Sequence, residues 1–235
     1  SPMRHKFGTS GNIIPNLHVR IMKDANTECK RGEIGEIVTK GNSVMKGYFK
    51  NPEASAETLR DGWLWSGDLG YIDEDDFLVV TGREKALLIA ADGEKYSPET
   101  IEEAIINSSR YVDQIMAYNE QCKFTSLLIT LNTEALKADT AGKNVGEVIT
   151  IIEEDLLAFQ NKSEYATIPA QWRPASFAII SEPFGEEHGL VNSTMKLVRH
   201  KVRDHYKDRL DELYASGTAS PDIAGNREAL HKLGF

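Results

Sequence analysis

The feature that most constrains the fold is a change of sequence pattern near residue 85. Up to about Thr81, short segments such as HVRIM and EIVTK alternate apolar and polar residues, and glycines separate them. Alternation with a period of two predicts half-buried strands. Helical periodicity is nearly absent here, apart from NPEASAETL, in which Asn51 is expected to cap a short helix with Pro52 at its first position. The first part of the chain is therefore predicted to be β-rich.

From Lys85 onward, strand and helix patterns alternate. ALLIA predicts a strand, DGE a tight turn, and KYSPETIEEAIINSS a helix with Ser97 as N-cap and a buried stripe of Ile101, Ala104 and Ile105. VDQIMAYN, TSLLITLN and PASFAIIS predict three more strands, and NVGEVITIIEEDLLAFQN predicts a helix. The second part should be a small sheet flanked by helices, an α+β arrangement. We expect two domains, residues 1–84 and residues 85–235.

The C-terminal region shows one long amphipathic pattern. It predicts a last helix from Met195 to Ala215, with a basic row beside its apolar face. The segments NKSEYATIPAQWRP and REALHKLGF are expected to form a surface loop and a loosely docked last turn. The apolar face consists of Val198, Val202, Tyr206, Leu210 and Leu213, and the basic row of Arg199, Arg203 and Lys207.

Composition excludes several broad classes. The chain has 235 residues and a formal charge of -9, which argues against a general nucleic-acid binder. Cys29 and Cys122 are the only cysteines, so no disulfide framework is expected and a reducing cytosol is favoured. No run approaches the ~20 apolar residues that cross a bilayer, and SPMRHKFGTSGN lacks a signal-peptide core. We expect a soluble protein that is a piece of a longer chain.

Two positions in the β-rich part are candidates for binding a nucleotide. Asp68 follows Gly67 and is expected at a strand end, where a carboxylate can accept two hydrogen bonds from vicinal hydroxyls. Arg83 lies at the junction of the two parts, and its guanidinium suits phosphate or ribose oxygens. On residue grounds alone, a turn cap for Asp68 and a charged interdomain loop for Arg83 are the more common roles.

Further candidates lie at and beyond the junction. Lys85 follows Arg83 by two residues, and Asp92-Gly93 is a hairpin signal at which a ligand can also approach the backbone. Lys196 is expected at the start of the last helix, where an ammonium could neutralise charge on a phosphate. An ordinary surface lysine is the alternative there. The six histidines show no metal-ligand spacing, and no Ser-His-Asp elbow or Walker-type glycine loop is present.

Taken together, these stretches resemble the C-terminal part of an adenylate-forming enzyme, the superfamily of acyl-CoA synthetases, adenylation domains and firefly luciferase. GEIVTKGNSVMKGYFKNPEASAETLRDGWLWSGDLGYIDEDDFLVVTGREKALLIAADGEKYSPETIEEAI resembles its core motifs, and NSTMKLVRHKV resembles its terminal lysine motif. The resemblance covers about residues 8–132 and 189–214. The spacing around Lys196 and the following YKDRLDELYA most resemble long-chain fatty acyl-CoA synthetases.

The resemblance implies a role for each candidate. Asp68 would hold the ribose hydroxyls of ATP or acyl-AMP, and Arg83 would support the ribose and the phosphates. Lys85 occupies the hinge position, about which the small domain would rotate between two half-reactions. Gly93 lies in the turn that approaches the pantetheine arm of CoA. Lys196 matches the lysine that bridges the substrate carboxylate and the α-phosphate.

The implied activity is that of an AMP-forming acid-thiol ligase that uses ATP, CoA and Mg²⁺ to convert a fatty acid into its CoA thioester. The superfamily's N-terminal half is missing, so that half is an expected partner and this chain alone is expected to be inactive. The implied location is the cytoplasm, with peripheral contact to the inner face of a membrane as an alternative. Ala86, Trp65, Ser66 and Asp92 depart from common family residues without removing a named role.

Three alternatives stay open on the sequence. One is an adenylation domain that loads a carrier protein, although no carrier-domain serine motif follows Lys196. Another is an aryl- or medium-chain acyl-CoA synthetase of the same superfamily. The third is a non-catalytic module that retains the fold. Separately, the basic row is a candidate contact for the nucleotide end of CoA or for an anionic membrane surface, with a solvated helix face as the more common role.

Overall fold

The computed structural model describes residues 5–235, and residues 1–4 of the first predicted domain lie outside the described residues. The chain forms two compact units, one ending at Leu87 and the other extending from Leu88 to Phe235. Strands dominate the first unit, and strands and helices alternate in the second. The predicted α+β class is confirmed, whereas the domain boundary after residue 84 stays a prediction.

An antiparallel seven-stranded sheet organises the first unit. Its strands are β1 (Gly11–Asn12), β2 (Leu17–Asp24), β3 (Thr27–Glu28), β4 (Gly35–Gly41), β5 (Leu59–Arg60), β6 (Trp63–Ile72) and β7 (Phe77–Arg83). They are ordered β1-β7-β6-β4-β2-β3, and β5 pairs with the start of β6. Three of the six pairs of consecutive strands are neighbours in the sheet, namely β2–β3, β5–β6 and β6–β7.

The predicted alternation places apolar residues inside this unit. Ile21 of β2 lies opposite Ile37 of β4, and both are buried together with Val38 and Phe77. The single helix predicted here is α1 (Pro52–Thr58). The Asn51 carboxamide oxygen accepts a hydrogen bond from the Ala54 backbone N–H at 3.0 Å, which confirms the predicted N-cap.

The second unit contains two small sheets. Its strands are β8 (Leu88–Ala90), β9 (Lys95–Tyr96), β10 (Val112–Tyr118), β11 (Glu120–Cys122), β12 (Thr125–Leu131) and β13 (Pro174–Ile179). In one sheet, β12 lies between an antiparallel β10 and a parallel β13. In the other, β8 lies between an antiparallel β9 and a parallel β11.

Helices cover both faces of the sheet formed by β10, β12 and β13. They are α2 (Pro98–Ile106), α3 (Thr133–Asp139), α4 (Val145–Leu156), α5 (Arg199–His205), α6 (Lys207–Ala215) and α7 (Ala224–Lys232). Every residue of β12 is buried, and its side chains divide between two apolar clusters. Leu127 and Ile129 join the cluster of α2 and α4, whereas Leu128 joins that of α5 and α6. A strand buried on both faces lacks a regular alternation of polar and apolar residues, as TSLLITL does.

The predicted last helix from Met195 to Ala215 is wrong in its start and its continuity. Met195 has a left-handed backbone (φ 59°), so the chain is still in a loop there, and α5 begins only at Arg199. At Tyr206 the backbone leaves helical geometry (φ -104°, ψ 26°) and separates α5 from α6. The apolar periodicity continues across this break, which is why the pattern alone predicts one helix.

Three other features of the second unit differ from expectation. REALHKLGF is no loose turn, because it belongs to α7, in which Leu230 is completely buried. The segment NKSEYATIPAQWRP is irregular as predicted, yet it buries Ile168 and stacks Trp172 on Tyr96. Helix α3 and strand β11 were not predicted, since both are short and carry weak periodicity.

Candidate functional site

Asp68 and Arg83 form an ion pair across neighbouring strands. They lie opposite each other on β6 and β7, and the Asp68 Oδ1 atom is 3.0 Å from the Arg83 Nε atom. The Asp68 side chain retains 34% exposure, which leaves its carboxylate accessible to a ligand. The structure therefore brings together two residues that were predicted separately.

The expectation that Asp68 lies at a strand end is wrong, because Asp68 is an interior residue of β6. An irregularity in the strand makes it accessible instead. The register between β4 and β6 shifts between Glu36 and Val38, and Gly67 adopts a left-handed backbone (φ 71°). A bulge of this kind re-aims the side chains that follow it.

Two side chains that sequence reasoning did not assign stabilise the bulge. The Ser66 hydroxyl donates to the Ile37 carbonyl at 2.6 Å and accepts from the Asp68 backbone N–H at 3.0 Å. The Glu36 carboxylate accepts from the Gly67 backbone N–H at 2.8 Å. Ser66 stands out in the sequence as a departure from the family pattern, but no local signal indicates that Glu36 contacts the bulge.

Lys85 lies in a single 3-10 turn, Glu84–Ala86, directly after β7. Its side chain is 87% exposed, and its Nζ atom is 3.4 Å from the Glu57 Oε1 atom of α1. The turn closes with a long hydrogen bond of 3.4 Å from the Leu87 N–H to the Glu84 carbonyl. The predicted hinge residue is thus exposed and weakly held.

The Gly93 turn connects β8 and β9 as the predicted hairpin. Gly93 has φ 86°, a conformation that side-chain-bearing residues rarely adopt. Its N–H donates to the Ala90 carbonyl at 2.9 Å, and the Asp92 carboxylate accepts from the Glu94 N–H at 3.0 Å. A Cβ added at Gly93 would meet no atom within 4 Å, so the outer side of the turn is open.

The base of this hairpin is well packed and hydrogen-bonded. The buried Tyr96 ring stacks on Trp172 with centroids 5.1 Å apart. Its hydroxyl is 2.5 Å from the Thr125 hydroxyl and accepts from the Asn119 amide at 2.9 Å. Burial raises the pKa of Tyr96, so the hydroxyl stays neutral. The turn is therefore presented on a fixed support.

Lys196 lies in a loop and not at the start of a helix. The loop is closed by the Val198 N–H, which donates to the Leu190 carbonyl at 2.8 Å. At its tip, the Asn192 side-chain oxygen accepts from the N–H groups of Thr194 and Lys196, both at 3.0 Å. The Asn192 side chain favours a loop over a helix here, because it binds backbone N–H groups that helical hydrogen bonds would otherwise use. Lys196 is exposed.

The proposed basic row does not form a free cationic face. Arg199 is half-buried in a bidentate ion pair with Glu102. Arg203 contacts Asp204 and Glu120, and Lys207 contacts Asp211. Each cation of the row thus has an acidic partner, and a contact of the row with CoA or a membrane stays a prediction.

Within residues 5–235, the structure has neither a metal-binding cluster nor a helix that could span a membrane. In that range no group of three or more His, Cys, Asp or Glu side chains is placed to hold a metal ion. Within the same residues, no helix has the length and apolar character needed to span a bilayer.

The family model of the AMP-binding enzyme C-terminal domain matches residues 85–218. The chain therefore belongs to the AMP-binding enzyme family, and the predicted resemblance is confirmed. The matched range holds the hinge candidate, the Gly93 turn and the Lys196 loop, whereas the Asp68 and Arg83 pair precedes it.

Curated relatives include long-chain-fatty-acid–CoA ligases. FadD15 of Mycobacterium tuberculosis is 30% identical over 218 residues, covering 89% of this chain and 34% of the relative. ACSBG1 of Mus musculus is 31% identical over 242 residues, covering 91% of this chain and 32% of the relative. This chain thus spans about a third of the length of the curated relatives it matches.

Solved structures of adenylate-forming enzymes share the fold. The o-succinylbenzoate CoA synthetase MenE of Bacillus subtilis, solved with AMP, aligns with a TM-score of 0.62 at 25% identity, covering 85% of this chain and 36% of MenE. The adenylation domain of a carboxylate reductase from Mycobacterium chelonae aligns with a TM-score of 0.73 at 24% identity, covering 90% and 34% of the two chains. The second likeness concerns the fold alone.

Proposed function

We propose that this chain is the C-terminal part of an ATP-dependent long-chain fatty acid–CoA ligase. A carboxylate and ATP would first give an acyl-adenylate and pyrophosphate. The thiol of CoA would then attack the acyl carbon, form the thioester and release AMP. The names of the curated relatives support this substrate class. The N-terminal half of the longer enzyme is the partner that the chain requires.

The observation that carries the proposal is the ion pair between Asp68 and Arg83. Arg83 binds one carboxylate oxygen of Asp68 at 3.0 Å, which fixes the carboxylate while leaving it part-exposed. A fixed carboxylate is suited to accept hydrogen bonds from the two ribose hydroxyls of ATP or acyl-AMP. The Arg83 guanidinium can donate to ribose or phosphate oxygens from the same place.

The second unit would supply one group to each half-reaction. Lys196, on its stabilised loop, would bridge the fatty acid carboxylate and the α-phosphate and offset the charge that develops there. The open Gly93 turn would admit the pantetheine arm of CoA close to the backbone. A rotation near Lys85 would exchange these groups, and the exposed, weakly bonded turn at residues 84–86 supports that hinge.

Mg²⁺ would enter with ATP and offset the charge of the triphosphate. Residues 5–235 form no cluster of three metal ligands, so we assign no residue of this part of the chain to the ion. Peripheral attachment to a membrane has no support from the basic row, because its cations are paired with carboxylates.

Carboxylate-dependent ATP-pyrophosphate exchange by the full-length enzyme tests the proposal. We expect long-chain fatty acids to give the highest rates in a panel of aliphatic and aromatic acids. Lys196→Ala should reduce exchange by about 100-fold or more, the size of effect seen when one charge-stabilising donor is lost. Lys232→Ala is the matched control, because Lys232 is an exposed lysine on α7 paired only with Glu228.

Two outcomes would contradict the proposal. Exchange that does not depend on a carboxylate would exclude adenylate formation altogether. Equal rates for Lys196→Ala and Lys232→Ala would remove the assigned role of Lys196. Supplying CoA or a pantetheinylated carrier protein to the formed adenylate identifies the acceptor, and transfer to the carrier alone would replace the ligase by an adenylation domain.

A further inference from the structure

A buried ion pair connects two distant segments of the second unit. Arg199 Nη1 donates to Glu102 Oε1 at 2.9 Å, and Arg199 Nη2 donates to Glu102 Oε2 at 2.5 Å. The Ala117 backbone N–H donates to Glu102 Oε1 at 2.6 Å. The side chains of Glu102 and Arg199 are only 12% and 24% exposed. The pair is thus largely withdrawn from water, and both carboxylate oxygens accept hydrogen bonds.

Arg199 ends the loop that carries Lys196. It is the first residue of α5 and lies three positions beyond Lys196. The preceding residue, Val198, closes the loop through its bond to the buried Leu190. An interaction that holds the Arg199 side chain in place therefore also holds the C-terminal end of the Lys196 loop.

Glu102 belongs to the segment that follows the Gly93 turn. It lies on α2, which begins at Pro98 only two residues after β9 ends the hairpin. The bond from Ala117 also connects Glu102 to β10. The pair consequently holds the Lys196 loop at a set position relative to α2 and the sheet.

Stability alone does not account for such a pair. Moving two charges out of water costs about as much as their attraction returns, and apolar residues of similar size often replace buried pairs without loss. Apolar residues cannot reproduce the bidentate geometry of the pair, which permits only one orientation of the guanidinium. A loop that must place an ammonium accurately gains from that restriction.

We propose that Glu102 and Arg199 are positioning residues that set the orientation of Lys196 for the adenylation half-reaction. This inference rests on the role proposed for Lys196. In this role neither side chain would touch a substrate, because the two bind each other and are only 12% and 24% exposed. Their effect is confined to the half-reaction that uses Lys196, and attack by the thiol on a preformed adenylate does not depend on them.

The test measures both half-reactions in the full-length enzyme. The variants are Glu102→Gln and the double replacement Glu102→Met with Arg199→Met, which keeps an apolar core if the single variant does not fold. Asp155→Asn is the matched structural control, because Asp155 is an acceptor for the Tyr111 N–H and the Ser109 hydroxyl on another part of the unit. Lys196→Ala is measured in parallel.

We expect the double variant to lower the rate of acyl-adenylate formation by about ten- to 100-fold, the range known for small misplacements of a catalytic group. The KM values for ATP and fatty acid should change less than about threefold, because the pair contacts neither substrate. The rate of thioester formation from supplied acyl-adenylate should stay within about twofold, as should both rates of Asp155→Asn.

Hydrogen exchange separates this inference from the proposed function. We expect the amides of residues 190–198 to exchange faster in the double variant than in the wild type or in Asp155→Asn. Unchanged exchange, or equal losses in both half-reactions, would overturn the positioning role. If Lys196→Ala leaves adenylation intact, the proposed role of Lys196 fails, and the exchange data alone decide whether the pair orders the loop.

Discussion

Gly93 and Gly142 share a backbone conformation but not a proposed role, and this allows the role of Gly93 to be isolated. Their φ angles are 86° and 80°, and a Cβ at either position would meet no atom within 4 Å. An alanine at either site is therefore strained only by its own backbone, which costs about 1 kcal/mol or slightly more.

We expect Gly93→Ala and Gly142→Ala to destabilise the protein equally. Only Gly93→Ala should slow thioester formation, since its methyl group would stand where the thiol arm is proposed to approach the turn. Urea denaturation measures the first effect, and single-turnover thiolysis of acyl-adenylate by the full-length enzyme measures the second. Equal thiolysis rates for the two variants would show that the turn does not contact the thiol substrate.

At the scale of elements, α7 is fixed by one completely buried amide. The Asn226 amide nitrogen donates to the carbonyls of Phe177 and Pro221, both at 2.8 Å. Its oxygen accepts from the Ile179 N–H at 2.7 Å and from the Arg209 guanidinium at 2.8 Å. The helix is thereby attached to β13 and to α6.

Asn226→Ala should destabilise the second unit by about 2–4 kcal/mol, because several buried partners of the amide lose their hydrogen bonds together. Hydrogen exchange should show faster opening of residues 224–232 and of β13. Arg227→Ala is the control on the same helix, since the Arg227 guanidinium forms an exposed ion pair with Asp222 and its loss should change stability by less than about 1 kcal/mol. Equal effects of the two variants would mean that α7 is loosely docked after all.

Sequence predicts the elements of this protein where the signal is local. Helix α4 lies within NVGEVITIIEEDLLAFQN, which was predicted to be a helix, and it starts with a capping box between Asn144 and Glu147. The break between α5 and α6 lies inside an uninterrupted apolar period, so no local signal marks it. The pair of Glu102 and Arg199 joins residues 97 positions apart, and only tertiary packing brings them together. Local reasoning consequently located the candidate residues and missed the contacts that hold them.

For the whole molecule, the second unit should lose stability at alkaline pH. Burial raises the pKa of five tyrosines in this unit, namely Tyr96, Tyr111, Tyr118, Tyr206 and Tyr214. For Tyr118, burial and then the neighbouring Glu120 carboxylate raise the pKa to about 12. A tyrosine in the unfolded chain loses its proton near pH 10. The folded state then binds more protons than the unfolded state, so stability must fall as pH rises.

We expect the midpoint of urea denaturation to decrease progressively between pH 10 and about pH 12. Tyr118→Phe should reduce the steepness of this decrease, because it removes one of the protons involved. Tyr48→Phe, at an exposed position of the first unit, is the matched control. Identical pH profiles for wild type and Tyr118→Phe would contradict the raised pKa of Tyr118.

The proposed hinge makes a prediction about proteolysis of the whole chain. Lys85 is 87% exposed and lies in a turn closed by one long hydrogen bond, directly before the division of the chain after Leu87. Lys196 is also exposed, but the side chain of Asn192 stabilises its loop. Proteases select segments that open at low cost in free energy.

Limited trypsin digestion should therefore cut first after Lys85, giving fragments of residues 1–85 and 86–235 that mass spectrometry can identify. Lys85→Gln should delay the first cut, whereas Lys196→Gln should leave it unchanged. A first cut after Lys196 would place the weakest segment inside the second unit and would contradict a hinge at Lys85.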